Sequence, residues 1–308
     1  MHDLMGAQAI LYAIRQRFWI INGRSTIRNI LRKCLVCFRA KPYSLNCQMG
    51  DLPKDRVTQY RPFYVTGVDF AGPFFIKDGR LRNRAIIKAY LCIFVCFSTK
   101  AVHLFTNLTV SNLKSEAFLS TLTRFVSRRG ICKTIYSDNA TNFVGVHNKL
   151  TEIYEKLPKF VNNCDNLNFL LKNKIEWKFI PPNSPHQGGL WEAAVKIAKY
   201  HITRVVGDRH LTFENLSTLF SRVEAIMNSR PITPLSEDPN DLITLTPGHF
   251  LIGDSLLTLP EIDCAEISDN RLKQYQVLQK ITHHFWQRWS NEYLTKNEPN
   301  GRKLVPSH

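Results

Sequence analysis

The 308-residue chain lacks the features that mark membrane-spanning and exported proteins. Its longest strongly apolar run, Ala89 to Phe97, has nine residues, whereas a membrane-spanning helix needs about 20. The first residues form neither the basic stretch nor the apolar stretch of a secretory signal. We therefore expect no membrane-spanning segment and no membrane partner.

Cysteine and acidic residues are also scarce. Eight cysteines without an export signal argue against a disulfide scaffold, and they leave metal binding and core packing as uses. The 25 acidic residues are outnumbered by 41 Lys and Arg, which gives a net charge of +16. Such an excess indicates a polyanionic partner, nucleic acid first and an acidic membrane surface second. Hydrophobic residues make up 44%, enough for a sizeable core.

The order of predicted elements indicates an α/β domain between two smaller pieces. Periodicity and apolar runs predict strands at 64–70, 86–97, 100–105, 133–136 and 175–180. They predict helices at 7–33 with a break at Asn22-Gly23, and at 111–128, 146–172, 189–206, 212–228 and 271–294. We expect a mixed sheet covered by helices. The predicted boundaries are 1–50, 57–240 and 241–308.

Three acidic residues occupy unusual places in this pattern. Asp69 lies inside an otherwise apolar strand, Asp138 follows the end of a strand, and Glu192 opens a helix after Gly188-Gly189. Each alone could be a cap, a turn residue or a solvated charge. A buried carboxylate is costly, and neighbouring carboxylates repel each other. Mg²⁺ removes that conflict because it prefers hard oxygen ligands.

Three segments resemble the catalytic motifs of the retroviral and retrotransposon integrase family. They are Val68–Phe74, Ser137–Phe143 and Pro185–Glu192. The extended form Trp191–Lys196 is most similar to the BEL/Pao retrotransposon branch. The resemblance implies a ribonuclease H-like fold, with a mixed five-stranded sheet flanked by helices, over 57–240.

The same resemblance implies a function in DNA integration. Asp69, Asp138 and Glu192 would be the catalytic residues and would hold two Mg²⁺ or Mn²⁺ ions. One ion would activate water or a DNA 3′-hydroxyl, and the other would stabilise the leaving oxygen. We expect 3′-end processing and strand transfer, with element ends and target DNA as partners. We also expect a homo-oligomer that acts in the nucleus after a cytoplasmic phase.

Further polar residues near these motifs are candidates for DNA contact. Lys196 and Lys199 follow Glu192 by four and seven residues, so they share its helix face. The family uses basic residues at this spacing to hold DNA ends, although a solvated lysine face is the simpler alternative. The remaining candidates are Asn142, His186 and Gln187.

The N-terminal piece contains half of a zinc site. Cys34 and Cys37 form a Cys-x-x-Cys pair, the usual half of a tetrahedral site. Residues 14–20 and 32–34 resemble the zinc-binding domain of the same integrases, which pairs two cysteines with two histidines. Here His2 is the only histidine before Cys34. We therefore expect a degenerate or incomplete site over 1–50, with weak or absent zinc.

The last segment of the chain also resembles part of an integrase, and two other function classes remain as alternatives. Residues 285–294 resemble the start of the C-terminal domain that follows BEL/Pao integrase cores, so we expect a fragment of a polyprotein. One alternative is a catalytically inactive nucleic-acid-binding remnant or domesticated copy. Another is a ribonuclease H-type nuclease. The Gly-rich loop, the paired lysines and the flanking domains favour an integrase over the nuclease. The intact triad favours an active enzyme, whereas the incomplete ends favour the inactive copy.

Overall fold

The computed structural model describes residues 7–35, 54–79, 85–108, 115–160, 168, 171–181, 185–236 and 243–297. By its contacts the chain divides into two compact units, Met1–Leu52 and Pro53–His308. Among the described residues, no helix combines the length and apolar character needed to cross a bilayer.

The first unit contributes two short helices. They are α1 (Ala7–Arg15) and α2 (Gly23–Lys33). Asn22 adopts the left-handed conformation with a φ of 54°, and it precedes the first residue of α2. The predicted break at Asn22-Gly23 is therefore confirmed. Only Leu11 and Ile27 bury apolar side chains in the described part of this unit.

The second unit is built on a five-stranded mixed sheet. Its strands are β1 (Val65–Lys77), β2 (Ile86–Cys96), β3 (Val102–Leu108), β4 (Thr134–Ser137) and β5 (Glu176–Phe179). The order across the sheet is β3-β2-β1-β4-β5. The first three strands are antiparallel, whereas β4 and β5 run parallel to β1. This architecture confirms the expected ribonuclease H-like fold.

Helices flank the sheet and connect its strands. In chain order they are α3 (Lys54–Val57), α4 (Ser115–Arg129), α5 (Thr141–Phe160), α6 (Pro185–Val206), α7 (Phe213–Asn228), α8 (His249–Ile252) and α9 (Gln274–Asn297). A two-stranded ribbon joins β6 (Thr233–Pro234) to β7 (Thr244–Leu245). The ribbon lies between α7 and α9, where the sequence predicts neither a strand nor a helix.

The continuous apolar run of β2 is explained by burial on both faces of the sheet. Alternate side chains enter two separate cores. Ala89, Leu91, Ile93 and Val95 belong to a core with α6, α7 and α9. Cys92, Phe94 and Cys96 belong to the core on the other face, with α4 and α5. A period of two along one strand therefore divides the hydrophobic residues between the faces.

Helix α9 packs onto this core. Its apolar side chains Leu278, Ile281, Phe285 and Trp289 are buried in the same cluster as residues of α6 and α7. The segment expected to start a C-terminal domain thus lies, over Gln274–Asn297, in the same compact unit as the sheet.

Candidate active site

Asp69 lies on β1, and Asp138 directly follows the last residue of the adjacent parallel strand β4. The register of β1 and β4 pairs Gly67 with Tyr136. Continuing that register by two residues along each chain brings Asp69 opposite Asp138. Because adjacent strands are about 4.8 Å apart, the two acidic residues share one region of the sheet.

The position of Glu192 is set by the packing of Trp191, the residue before it. The Trp191 side chain is 1% exposed and lies directly on Gly67 of β1. A Cβ atom on Gly67 would lie only 2.4 Å from Trp191 Cε3. The indole also stacks on Phe97, with ring centroids 5.7 Å apart. This packing fixes α6 against β1 two residues before Asp69, and Glu192 directly follows Trp191 on that helix.

The electrostatics of Asp69 reflect both neighbours. The pKa of Asp69 is raised from its ordinary 3.8 to about 6, chiefly by burial and also by the negative charges of Asp138 and Glu192. The Phe70 N–H donates to Asp69 Oδ1 at 2.6 Å and opposes this shift. The proton is thus held by desolvation and by two nearby carboxylates, an environment that a cation would relieve.

The three carboxylates have the donor type that suits Mg²⁺ or Mn²⁺. In the part of the chain that the structure describes, however, no group of three His, Cys, Asp or Glu side chains is close enough to hold a metal ion. The described geometry therefore supports electrostatic proximity of these carboxylates and goes no further.

Asp138 also has a local task. Its Oδ1 accepts a hydrogen bond from the Ala140 N–H at 3.1 Å, which forms the turn that leads into α5. Asn139 Nδ2 donates to the Ile180 carbonyl at 2.8 Å and ties this turn to the end of β5. The turn holds Asp138 at the end of β4 with a defined backbone.

The other predicted residues differ in exposure. Lys196 and Lys199 are exposed on α6, opposite the buried Ala194, Ala198 and Ile202. Asn142 is buried in the first turn of α5, which leaves little of its side chain for contact with DNA. For His186 and Gln187, in the first turn of α6, the structure describes the backbone alone.

The cysteines fall into two groups. Cys92, Cys96 and Cys132 are buried in the core, as expected of structural residues. Cys34 follows α2 and is partly exposed. The other predicted zinc ligands, His2 and Cys37, lie outside the described residues, as does Cys164.

Two segments match protein-family models. Residues 1–43 match the integrase zinc binding domain. Residues 273–302, which include α9, match a family of unknown function (DUF5641). No curated protein matches the chain. The match over 1–43 supports an integrase family.

Solved structures of integrases are also similar to this chain. One is the simian T-cell lymphotropic virus intasome in complex with PP2A regulatory subunit B56 gamma, at 15% identity and a TM-score of 0.39, covering 84% of this chain and 76% of that chain. Another is the catalytic core domain of BIV integrase, at 13% identity and 0.36, covering 62% and 95%. A third is the HTLV-2 integrase catalytic core domain with magnesium, at 14% identity and 0.36, covering 62% and 97%. The fold assignment itself depends on the strand order and directions described above.

Proposed function

We propose that the protein is an integrase-like polynucleotidyl transferase that processes DNA 3′ ends and joins them to target DNA. The observation that carries this proposal is that three carboxylates, from β1, the end of β4 and α6, lie near enough to influence one another electrostatically. The strand register supports the first pair, and the contact of Trp191 with Gly67 supports the third. The effect of Asp138 and Glu192 on the pKa of Asp69 agrees with both.

Asp69, Asp138 and Glu192 would hold Mg²⁺ or Mn²⁺ in this role. Bound there, divalent ions supply activation of a water or hydroxyl nucleophile and stabilisation of the leaving oxygen. The protein's own part is to orient the carboxylates and to hold DNA. The exposed Lys196 and Lys199 lie on the Glu192 face of α6 and would contact phosphates next to the reacting bond.

The test is strand transfer of element-end DNA with purified protein and Mg²⁺. Asp138→Asn should abolish product while DNA affinity is retained, because the amide keeps the turn acceptor and removes a metal-ligand charge. Asp254→Asn is the matched control, since Asp254 is exposed and also accepts a backbone N–H, from Ser255 at 2.6 Å. Strand transfer by the Asp138 variant at the parent rate would reject the proposed mechanism.

The two lysines are tested by binding rather than by chemistry. Removing one phosphate-binding side chain should reduce the slope of log affinity against log salt by about 0.9 on duplex DNA. Lys196→Ala/Lys199→Ala should therefore lower the slope by roughly 2. An unchanged slope would assign the lysines to a solvated face.

The second candidate is a nucleic-acid-binding remnant or domesticated copy without catalysis. The net charge of +16 and the exposed Lys196 and Lys199 support DNA binding with or without catalysis. It predicts DNA binding by the parent protein without strand transfer in either Mg²⁺ or Mn²⁺.

The finer assignments extend the same proposal. The segment Trp191–Lys196 supports the BEL/Pao branch as the source of the enzyme. We propose a homo-oligomer, because two DNA ends must be joined to one target. We also propose that it acts in the nucleus. Sedimentation with and without DNA, and imaging of a tagged chain, would test these two points.

A further inference from the structure

An open depression lies on the seam between the C-terminal half of α6 and the middle of α9. Its volume is about 430 Å³, and its lining is dominated by cations. The lining residues are Arg204, Val205, Arg209, His284, Gln287 and Arg288. Three arginines thus face a space large enough for a phosphate group.

The acidic residues near the depression are already engaged, and one of them pairs with the lining residue Arg209. Asp269 accepts from Arg209 Nη2 at 2.6 Å and from Lys280 Nζ at 3.1 Å. Glu292 lies 2.9 Å from His201 Nε2.

Two of the arginines are left without acidic compensation. Within the described residues, neither Arg204 nor Arg288 forms an ion pair. The Arg204 guanidinium lies 3.5 Å from the centre of the Tyr200 ring and donates to the Tyr200 carbonyl. These two positive charges are therefore available to an incoming anion.

The pKa values of two histidines near the seam are lowered in part by positive charges. Burial lowers the pKa of His284, and the charges of Lys280, His283 and Arg209 lower it further. Burial also lowers the pKa of His201; Glu292 opposes this shift, whereas Arg288 and Arg204 add to it. Both shifts agree with an excess of positive charge at the seam.

The depression is separate from the carboxylates. Arg204 follows Glu192 by twelve residues, which is about 18 Å along the helix axis and about 120° around it. Lys196 and Lys199 lie within about 40° of Glu192 around the same axis. A nucleic acid held at the carboxylates by these lysines therefore does not reach the seam along the same helix face.

We infer that the α6–α9 seam is a second phosphate-binding surface, which takes the sugar–phosphate backbone of a nucleic-acid stretch other than the one at the carboxylates. Arginine forks bind phosphate oxygens in pairs, and the Gln287 amide adds a neutral donor. The inference rests on the proposed function only in taking nucleic acid as the ligand. It gives α9, which lies in the segment matched to a family of unknown function, a task in DNA binding.

The lining favours a nucleic acid over a lipid surface. Membrane-binding surfaces set cations beside exposed apolar side chains that enter the bilayer. Here the only apolar lining residue is Val205, which is buried. The seam offers charge and hydrogen-bond donors without an apolar face.

The experiment measures affinity of the full chain for a short fluorescent DNA duplex at several salt concentrations. Arg204→Ala/Arg288→Ala should lower the log–log salt slope by about 1.8, which corresponds to two phosphate contacts. Arg271→Ala/Lys273→Ala is the matched control, because it removes the same charge from exposed positions before α9. Its slope should stay within error of the parent, and Arg204→Lys/Arg288→Lys should also keep the parent slope.

Thermal unfolding of each variant separates a local effect on binding from a loss of fold. Combining the Arg204/Arg288 and Lys196/Lys199 changes should add their two effects on the slope, as expected of separate surfaces. An Arg204/Arg288 variant with the slope of the matched control would overturn the inference, whereas the Lys196/Lys199 variant reports on the proposed function independently. Anionic vesicles that bind the parent but not the Arg204/Arg288 variant, with DNA binding unaffected, would also overturn it.

Discussion

The two compact units of this chain bury their apolar side chains to very different extents. The sheet of the larger unit separates two cores and takes most of the aromatic residues inside. In the described part of the smaller unit, Leu11 and Ile27 alone are buried, while Tyr12, Phe18, Trp19, Ile21, Ile30 and Leu35 are each more than 60% exposed. A sheet with helices on both faces is stable by packing, whereas two short helices need a metal, a partner or another staple.

The largest expected effect comes from exchanging one tryptophan in each unit for alanine. Trp191→Ala should lower the free energy of unfolding of the larger unit by about 3–5 kcal/mol, because it leaves a cavity on Gly67 and Phe97. Trp19→Ala should change the free energy of unfolding of the smaller unit by less than about 0.5 kcal/mol, since Trp19 is 79% exposed. Denaturant unfolding of both variants checks the comparison, and equal effects would contradict it.

A partly buried ion network should give the next largest effect. Glu224 of α7 bonds His103 Nδ1 at 2.7 Å, Arg129 Nη2 at 2.9 Å and the Leu104 N–H at 2.9 Å. Glu224→Gln should cost about 2–3 kcal/mol, because Arg129 and the backbone lose a charged acceptor.

The control for this network is an ion pair on the surface. Glu116→Gln breaks the exposed pair with Lys149 and should cost under about 1 kcal/mol. Denaturant unfolding measures both variants. Similar destabilisation by Glu224→Gln and Glu116→Gln would show that burial of the network contributes nothing.

A substitution in the candidate active site should stabilise the protein rather than destabilise it, because the buried negative charge there opposes folding. With the pKa of Asp69 raised from 3.8 to about 6, the folded state holds its proton more tightly than the unfolded chain. The contribution of the Asp69 carboxyl to the free energy of unfolding is fully present below about pH 4 and is lost as the pH rises through about 6. Asp69→Asn should therefore raise stability at pH 8, without metal, by about 1–3 kcal/mol.

Unfolding at several pH values checks this prediction. The parent should lose stability between about pH 4 and 6 relative to the Asp69 variant. Asp254→Asn, with the same local hydrogen bond on the surface, should show no gain. Adding Mg²⁺ should stabilise the parent and leave the Asp69 variant unchanged. A destabilised Asp69 variant at pH 8 would refute the electrostatic account.

The smallest effect is expected from zinc in the smaller unit. Three ligands, His2, Cys34 and Cys37, leave the fourth position of a tetrahedral site unfilled. We expect less than one tightly bound zinc per chain and little change in thermal unfolding with Cys37→Ser. One equivalent of zinc in the purified parent, absent from that variant, would mean that another residue or chain completes the site.

Local sequence pattern predicts most elements of the larger unit. The apolar run at 86–97 corresponds to β2, and the amphipathic segment at 111–128 corresponds to α4 over Ser115–Arg129. The strand predicted to end at Phe70 instead continues to Lys77 as β1, because a register shift between Ala71 and Phe74 accommodates Gly72-Pro73. A turn signal such as Gly-Pro is local, whereas the pairing with β2 that overrides it is not.

Contacts between distant segments cannot be predicted in this way. Nothing in the local sequence around Glu224 indicates a partner, yet the packing of α7 on β3 sets it against His103. Arg204 and Arg288 meet only because α9 folds back on α6. The three carboxylates are identified by motif resemblance, and their meeting in one cleft stays a prediction that the register and the pKa of Asp69 support.

The contact between Gly67 and Trp191 bears on how the activity of a sequence variant is judged under the proposed function. A methyl group at position 67 would overlap the indole at 2.4 Å and force α6 away from β1. Glu192 would move with the helix, and a displacement of about 1 Å in a reacting geometry can cost on the order of a hundredfold in rate. Under the proposed function, Gly67→Ala would therefore abolish activity while Asp69, Asp138 and Glu192 are all retained, so these three residues are an insufficient criterion of activity.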